Sequence, residues 1–223
     1  MYSHDALILL RSCFCAPKIQ HILRCTPCHK HPSLDTFDDL LRSGLCKIIN
    51  ADLSDTQWLQ AGLPVQDGGL GIRNVARLAI SAYLASAAST IQLQEEILSS
   101  TTAPQDLNAE QLSSIWSTSF AKPTPSPFAS YKQSAWDSPR IQADKAELWF
   151  SSGDKLNVAR LTAVSAPHSG DWLNAMPISA CGLRLDNKMV RVAVGLRLGV
   201  DLCVPHDCPC GALVDARGIH SLS

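Results

Sequence analysis

Hydrophobic positions in the first half of the chain recur every three to four residues, the spacing of α-helices. This spacing predicts a broadly buried helix over 6–23 that restarts at Pro17, an amphipathic helix over 33–49 and an alanine-rich helix over 74–98. Ser54-Asp55-Thr56-Gln57 has the form of a capping box and predicts a short helix of its own. The first half is therefore predicted to be a set of packed helices.

The second half changes composition at about residue 99, where Ser, Thr and Pro become frequent. A short helix is expected near 106–120, and helical spacing returns over 140–164 and over 186–198, with Asp186 as the cap. The predicted fold is mainly α, with bundle-like helical lobes joined by a Pro/Ser-rich linker and a small C-terminal Cys/His knuckle. Its ranges are a helical lobe at 1–98, the linker at 99–139, a second helical lobe at 140–200 and the knuckle at 201–223.

Composition narrows the classes of protein that this chain can represent. Apolar residues make up 46% of the 223 residues, so the chain can bury a core and is not disordered throughout. Charged residues are only 17% and the net charge is −1, which excludes a strongly basic nucleic-acid-binding domain and leaves a local patch as the route to nucleic acid. No run of 18 apolar residues occurs, so we expect no transmembrane helix and no membrane partner.

Nine cysteines lie in two groups near the ends of the chain, separated by a long gap without cysteine. An odd number, this clustering and the lack of a secretory signal argue against a disulfide framework. We therefore expect a reducing, intracellular compartment, nuclear or cytoplasmic, with thiols that are buried or bind metal.

The densest group of potential ligands lies at the C-terminal end: Cys203, His206, Cys208, Cys210 and His220. Zn²⁺ takes four sulfur or nitrogen ligands in a tetrahedron, and short spacings separated by a tight turn supply them without a large core. The Cys203-x4-Cys208 spacing is common in zinc sites, whereas Cys208-x-Cys210 is tighter than usual. The alternative is a cysteine-rich surface loop that binds no metal.

Four other patterns suggest chemistry, but their contexts do not support it. Cys25-Thr26-Pro27-Cys28-His29 matches haem-attachment and redox motifs, yet it lies among prolines and reads as a turn between helices. Phe37-Asp38-Asp39 resembles a polymerase carboxylate pair but falls on the polar face of a helix. Gly68-Gly69-x-Gly71 lacks the upstream strand of a dinucleotide loop. His168 and Cys181 have no identifiable catalytic partner in the sequence.

Several blocks of the sequence together resemble the region that follows the catalytic palm in reverse transcriptases of non-LTR (LINE-type) retrotransposons. The most specific block is Leu63-Pro64 followed by Gly69-Leu70-Gly71-Ile72, and Cys208-x-Cys210-Gly211 with His220 resembles the C-terminal part of the same polyproteins. Further matching runs lie at 6–11, 58–65, 165–173, 182–185 and 190–199. The resemblance covers nearly the whole chain except its Ser/Pro-rich middle.

This resemblance implies a thumb-and-tail fragment without a catalytic centre. The family's metal-binding carboxylates lie in an aromatic-Ala-Asp-Asp motif on the palm, and no position here matches them, so we expect the chain to be inactive alone. The resemblance makes Cys208, Cys210 and His220 ligands of a zinc knuckle, with a further cysteine expected a few residues later. Because the sequence ends at Ser223 first, either Cys203 completes a Cys3His site or the site is one ligand short.

The resemblance also implies contact with RNA or DNA, at low affinity because the net charge is −1, and with the missing palm and fingers of the parent polypeptide. The residues predicted to track phosphates are Lys18, Arg24, Lys30, Arg184, Lys188, Arg191 and Arg197. They are equally compatible with solvated helix faces. The rival hypothesis is a structural or protein-interaction remnant without nucleic-acid activity, whose apolar surface recruits other proteins.

Overall fold

Helices make up most of the structure, a computed structural model that describes residues 2–98, 106–218 and 220. A mainly α fold is therefore confirmed. The helices are α1 Ser3–Leu9, a π-helical turn Leu10–Phe14, α2 Ala16–Cys25, α3 Pro32–Ile49, α4 Asp55–Gly62, α5 Val75–Leu98, α6 Leu107–Phe120, α7 Gln133–Ser151, α8 Lys155–Val164 and α9 Asn187–Leu198. Two short strands follow, β1 His206–Asp207 and β2 Leu213–Val214.

Side-chain caps fix the start of several helices. At α4 the capping box forms as predicted: the N–H of Gln57 donates to the Ser54 hydroxyl at 3.2 Å, and the Gln57 side chain accepts from the N–H of Ser54 at 2.8 Å. Asp186 caps α9, as predicted, by accepting from the N–H of Met189 at 2.8 Å. Asp106 caps α6 in the same way. These local bonds explain why the helix starts could be located from the sequence.

Asp38 caps a helix that is distant in sequence. Its two carboxylate oxygens accept from the N–H groups of Val75 at 2.8 Å and Ala76 at 3.0 Å, the first residues of α5. The side chain is buried, although the sequence placed it on the polar face of α3. A carboxylate at the positive end of a helix dipole satisfies two backbone donors and explains this acidic residue without a bound metal.

The chain divides into two compact units, and each is discontinuous in sequence. Unit 1 comprises Met1–Cys15, Asp39–Arg73 and Asp144–Ser223, and unit 2 comprises Ala16–Asp38 and Asn74–Ala143. Helices α3 and α7 run from one unit into the other. The ranges predicted from composition were continuous, because composition carries no information on which distant segments pack together.

Unit 2 has an apolar core in two parts. In the first, α2 packs along α5 through Leu23, Leu78 and Ala82, and the small residues of α5 allow this close approach. The second centres on Trp116 and Trp136, whose rings meet edge to face at 5.2 Å, with the Trp116 indole donating to the Trp136 carbonyl at 2.9 Å.

Both tryptophans belong to the predicted linker. Its described part therefore contains the expected helix, α6, and also the beginning of α7, which includes Pro139. Burial of two large aromatic side chains compensates for a proline that removes one helical hydrogen bond. Residues 99–105 of that predicted linker lie outside the described residues.

In unit 1, the glycine-rich block after α4 forms a tight loop. Gly68 and Gly71 adopt left-handed backbone angles, with φ of +86° and +75°. Gly69 has no room for a side chain, because a Cβ atom there would lie 2.0 Å from the carbonyl oxygen of Leu63. The glycines are thus needed for the close backbone approach that the sequence indicated.

Arginine side chains hold this glycine loop in place. Arg197, which is only 3% exposed, donates to the carbonyls of Val65 at 2.6 Å, Gly69 at 2.9 Å and Ser169 at 3.2 Å. Arg11, in the π-helical turn, donates to the Leu70 carbonyl at 2.5 Å. The loop carbonyls therefore accept from the buried Arg197 and the half-buried Arg11, an arrangement that orders backbone rather than binding phosphate.

One described helical stretch, Ser3–Cys25, has the length and apolar composition needed to cross a membrane. One-third of its most apolar window is buried in the structure. A core helix of a soluble protein and an N-terminal signal sequence meet the same criterion, so this single stretch is weak evidence for a membrane span.

Candidate metal centre

The C-terminal hairpin is built from the short antiparallel pair β1 and β2. At its tip, Cys208-Pro209-Cys210-Gly211 forms a turn in which the N–H of Gly211 donates to the Cys208 carbonyl at 2.8 Å. Gly211 has φ of +86°, which a residue with a side chain rarely adopts. The turn places two cysteines on a tight bend only two residues apart.

Three potential ligands converge at this turn. The sulfur atoms of Cys208 and Cys210 and a ring nitrogen of His220 all lie within 4.8 Å of one another, and Cys210 Sγ is 3.1 Å from His220 Nε2. Ligands of a tetrahedral zinc ion stand roughly 3.5–4 Å apart, given metal–ligand bonds of about 2.0–2.3 Å. Small side-chain movements would therefore let this group hold a metal ion.

The local backbone favours a thiolate at the turn. The N–H of Ala212 donates to the sulfur of Cys210, and the Cys208 thiol adds a second hydrogen bond, so the pKa of Cys210 lies below its ordinary value. Thiolates are the form of cysteine that binds Zn²⁺. The chemistry of this three-member donor set is thus compatible with a bound metal ion.

Cys203 and His206 lie elsewhere on the hairpin. The Cys203 thiol donates to the carbonyls of Asp215 at 3.3 Å and Ala216 at 3.5 Å, and His206 Nδ1 lies 2.9 Å from the Val204 carbonyl. Cys203 is therefore not a member of the three-ligand group formed by the described residues. Of the predicted knuckle at 201–223, residues 219 and 221–223 lie outside the described residues.

In unit 2, the residues predicted to contact nucleic acid lie at the surface. Lys18 and Arg24 are exposed on α2, and Lys30 is exposed in the turn before α3. The Arg24 guanidinium also donates to the Gln133 side chain at 3.4 Å. Exposed cations of this kind are available to phosphates at low cost in desolvation.

The four residues of unit 1 that were predicted to contact nucleic acid differ in exposure and in their partners. Lys188 is exposed, whereas Arg184 pairs with Asp5 at 3.4 Å and Arg191 is half-buried and donates to the Leu202 carbonyl at 3.0 Å. Arg197 is buried, and burial, followed by the charge of Arg11, lowers its pKa to about 10. The prediction that Arg197 binds phosphate was therefore wrong, because its buried guanidinium donates to backbone carbonyls inside the protein.

The Cys25–His29 segment begins with the last residue of α2, Cys25, and Cys28 lies in the turn between α2 and α3. Cys25 is exposed and Cys28 is half-buried, and burial raises the pKa of the Cys28 thiol. A raised pKa disfavours the thiolate that redox chemistry and metal binding require. The local environment therefore does not support the haem or redox interpretation.

Sequence reasoning missed one pair of polar side chains. His168 Nδ1 lies 2.9 Å from the Asp171 carboxylate, and His168 has φ of +66°, in the left-handed region. Both side chains are largely exposed, beside a cavity of about 590 Å³ that Ser165 and Ser169 also line. The signal available in the sequence was the separation of three residues between His168 and Asp171, because side chains at that separation meet across one turn.

Comparisons of the chain with protein-family models, curated proteins and solved structures found no match.

Proposed function

We propose that this chain is a non-catalytic thumb-and-tail fragment of a non-LTR retrotransposon reverse transcriptase, and that it contributes nucleic-acid binding through a zinc-stabilised hairpin. The convergence of Cys208, Cys210 and His220 carries the proposal. Two of these potential ligands lie on a tight turn and His220 approaches it, in a hairpin whose strands are only two residues long each. Such a short hairpin has little core of its own, and a metal ion supplies the missing stabilisation.

The exposed cations of unit 2 support the nucleic-acid part of the proposal. Lys18, Arg24 and Lys30 belong to one short segment that runs through α2 and its following turn. Each contact with a phosphate releases a counterion, so affinity must fall as the salt concentration rises. With few contacts and a net charge of −1, binding is weak at physiological salt.

The experiment is a salt titration of binding to labelled structured RNA and nicked DNA, with purified, reduced chain and one equivalent of Zn²⁺. The expected plot of log affinity against log salt is linear, and replacing Lys18, Arg24 and Lys30 by Gln lowers its slope by roughly 2–3. The matched control replaces Lys47, Lys132 and Lys155, which are also exposed, by Gln and leaves the slope nearly unchanged. Salt-independent binding, or equal effects of the two triple variants, contradicts the proposal.

Catalysis is not part of this proposal. The chain has no position that matches the palm carboxylates, and Asp38 is engaged as a helix cap. Nucleotide incorporation on a primed template by the purified chain would contradict the non-catalytic assignment.

The second candidate function is a protein-interaction remnant, and one observation favours it. The C-terminal half of α5 exposes large apolar side chains: Ile91 at 52%, Leu93 at 55% and Ile97 at 70%. Exposed apolar surface of this kind promotes protein association. Salt-sensitive nucleic-acid binding favours the first function, whereas self-association that Ile97→Glu abolishes, without any nucleic-acid binding, favours the second.

A further inference from the structure

An apolar cleft of about 510 Å³ opens between α8 and α9 of unit 1. Its walls include Ala159 and Ala163, one turn apart on α8, and Ala193 on α9, and these short side chains leave the space open. Leu156 and Trp172 extend the apolar wall. The volume falls within the range of roughly 300–1,000 Å³ that small-molecule sites occupy.

Three arginines, Arg160, Arg197 and Arg217, bring positive charge to this largely apolar cleft. Arg217 Nη1 and Arg160 Nε both point to the side-chain oxygen of Asn157, at 3.0 Å and 3.5 Å. Two cations thus share one neutral acceptor. Among the described residues that line the cleft, none is an aspartate or a glutamate.

Arg160 is held rigidly. Its Nη1 donates to the Gln60 side chain at 2.9 Å and to the Arg197 carbonyl at 2.5 Å. Its guanidinium packs on Gly199, where a Cβ atom would lie only 2.7 Å from Nε. A cation fixed in this way loses little conformational entropy when it meets an anion.

The electrostatics of the cleft favour a negative ligand. Burial, followed by the charge of Arg217, lowers the pKa of Arg160 to about 10, and Asp154 offsets this only in part. A ligand anion beside both guanidinium groups would relieve their mutual repulsion and replace hydration that burial has removed. Guanidinium groups match a carboxylate in both geometry and charge.

We propose that the α8–α9 cleft binds a small amphipathic anion, a fatty-acid-like carboxylate whose chain lies along the alanine wall and whose carboxylate meets Arg217 and Arg160. The apolar wall decides the ligand class. A nucleotide would place its ribose hydroxyls and base edges against alanine and leucine side chains, where they would lose hydrogen bonds to water.

The test is a calorimetric titration of the full, reduced chain with decanoate, hexanoate and decanol. Decanoate binds at one site, and each methylene added between hexanoate and decanoate raises affinity about fourfold until the cleft is filled. Decanol binds about tenfold more weakly than decanoate, because it lacks the charge that Arg217 and Arg160 recognise. The comparison of decanol with decanoate needs no variant and therefore does not depend on how a substitution folds.

Two pairs of variants locate the site. Arg217→Gln weakens decanoate binding about tenfold, whereas Lys188→Gln, an exposed cation outside the cleft, changes it less than twofold. Ala163→Phe fills the cleft and abolishes binding, whereas Thr162→Phe, its exposed neighbour on α8, does not. No decanoate binding, equal effects within either pair, or displacement of decanoate by an oligonucleotide at the same residues overturns the proposal.

Discussion

The glycine loop and the C-terminal hairpin both belong to unit 1, but they are stabilised in different ways. In the loop, backbone carbonyls accept from the buried Arg197 and from Arg11, and the apolar side chains of Leu63 and Leu70 are fully buried. In the hairpin, most side chains are exposed, and three ligand atoms converge at its tip.

This difference shows that irregular backbone can be ordered in two ways. A loop whose polar groups are all satisfied inside the protein needs no ligand. A hairpin with two-residue strands and little buried surface has little core of its own, and we propose that a metal ion held by the three potential ligands within 4.8 Å of one another stabilises it. Substitutions in the loop are therefore expected to affect folding, and substitutions in the hairpin to affect metal binding.

The largest effect is expected at Gly69. Gly69→Ala places a methyl group 2.0 Å from the Leu63 carbonyl oxygen, so the backbone must move and the free energy of unfolding falls by about 3 kcal/mol or more. Urea denaturation measures this change in the free energy of unfolding. The control is Gly153→Ala, where a Cβ atom meets nothing within 4 Å and stability changes by less than about 0.5 kcal/mol. Equal stability of the two variants would show that the loop is not closely packed.

The second largest loss of stability is expected for Arg197→Met. It leaves the carbonyls of Val65, Gly69 and Ser169 without their donor in a buried site, which lowers the free energy of unfolding by about 3 kcal/mol. Lys188→Met, on the exposed face of α9, serves as the control and changes stability by less than about 0.5 kcal/mol. A stable Arg197→Met variant that had lost nucleic-acid affinity would return Arg197 to the phosphate-binding set.

Asp38→Ala extends the comparison to unit 2, where a buried polar group is also fully engaged within the protein. Two N–H groups at the start of α5 lose their acceptor, so the free energy of unfolding falls by about 2 kcal/mol. Asp39→Ala removes the neighbouring exposed carboxylate and has an effect of less than about 0.5 kcal/mol. Similar losses from both substitutions would contradict the capping role of Asp38.

A pH titration tests another satisfied group of unit 2. Burial, followed by the hydrogen bond to Asp106 at 2.9 Å, raises the pKa of Tyr83 to about 12. The unfolded tyrosine ionises near pH 10, so the contribution of neutral Tyr83 to stability is present below pH 10 and is lost towards pH 12. Relative to Tyr83→Phe, which does not ionise, the wild-type chain loses about 1–2 kcal/mol over this range. Parallel stability curves for the two proteins would contradict the shift.

Much of the helical structure could be predicted from local sequence. Apolar spacing and the alanine-rich composition located α5 to within one residue, and Ser54 and Asp186 were correctly predicted as caps. These features depend on residues within a turn of one another. Local patterns therefore suffice where local hydrogen bonds determine the structure.

The remaining features depend on contacts between distant residues. Asp38 caps a helix that starts 37 residues later, and Arg197 meets Gly69 across 128 residues. Trp116 and Trp136 form a core in a stretch whose composition is typical of a linker. At the candidate metal centre, the family resemblance pointed to Cys208, Cys210 and His220, with Cys203 as a possible fourth ligand, but only the fold shows that Cys203 faces backbone carbonyls.

Counting the metal ions bound to the purified, reduced chain tests the central claim most directly. We expect one Zn²⁺ per chain, lost in Cys210→Ser and His220→Ala and retained in Cys203→Ser, because the Cys203 thiol bonds to the Asp215 and Ala216 carbonyls instead. Substituted Co²⁺ should show the visible absorption of a tetrahedral site with sulfur ligands. Zinc content near zero in the wild-type chain, or equal loss in all three variants, would contradict the account.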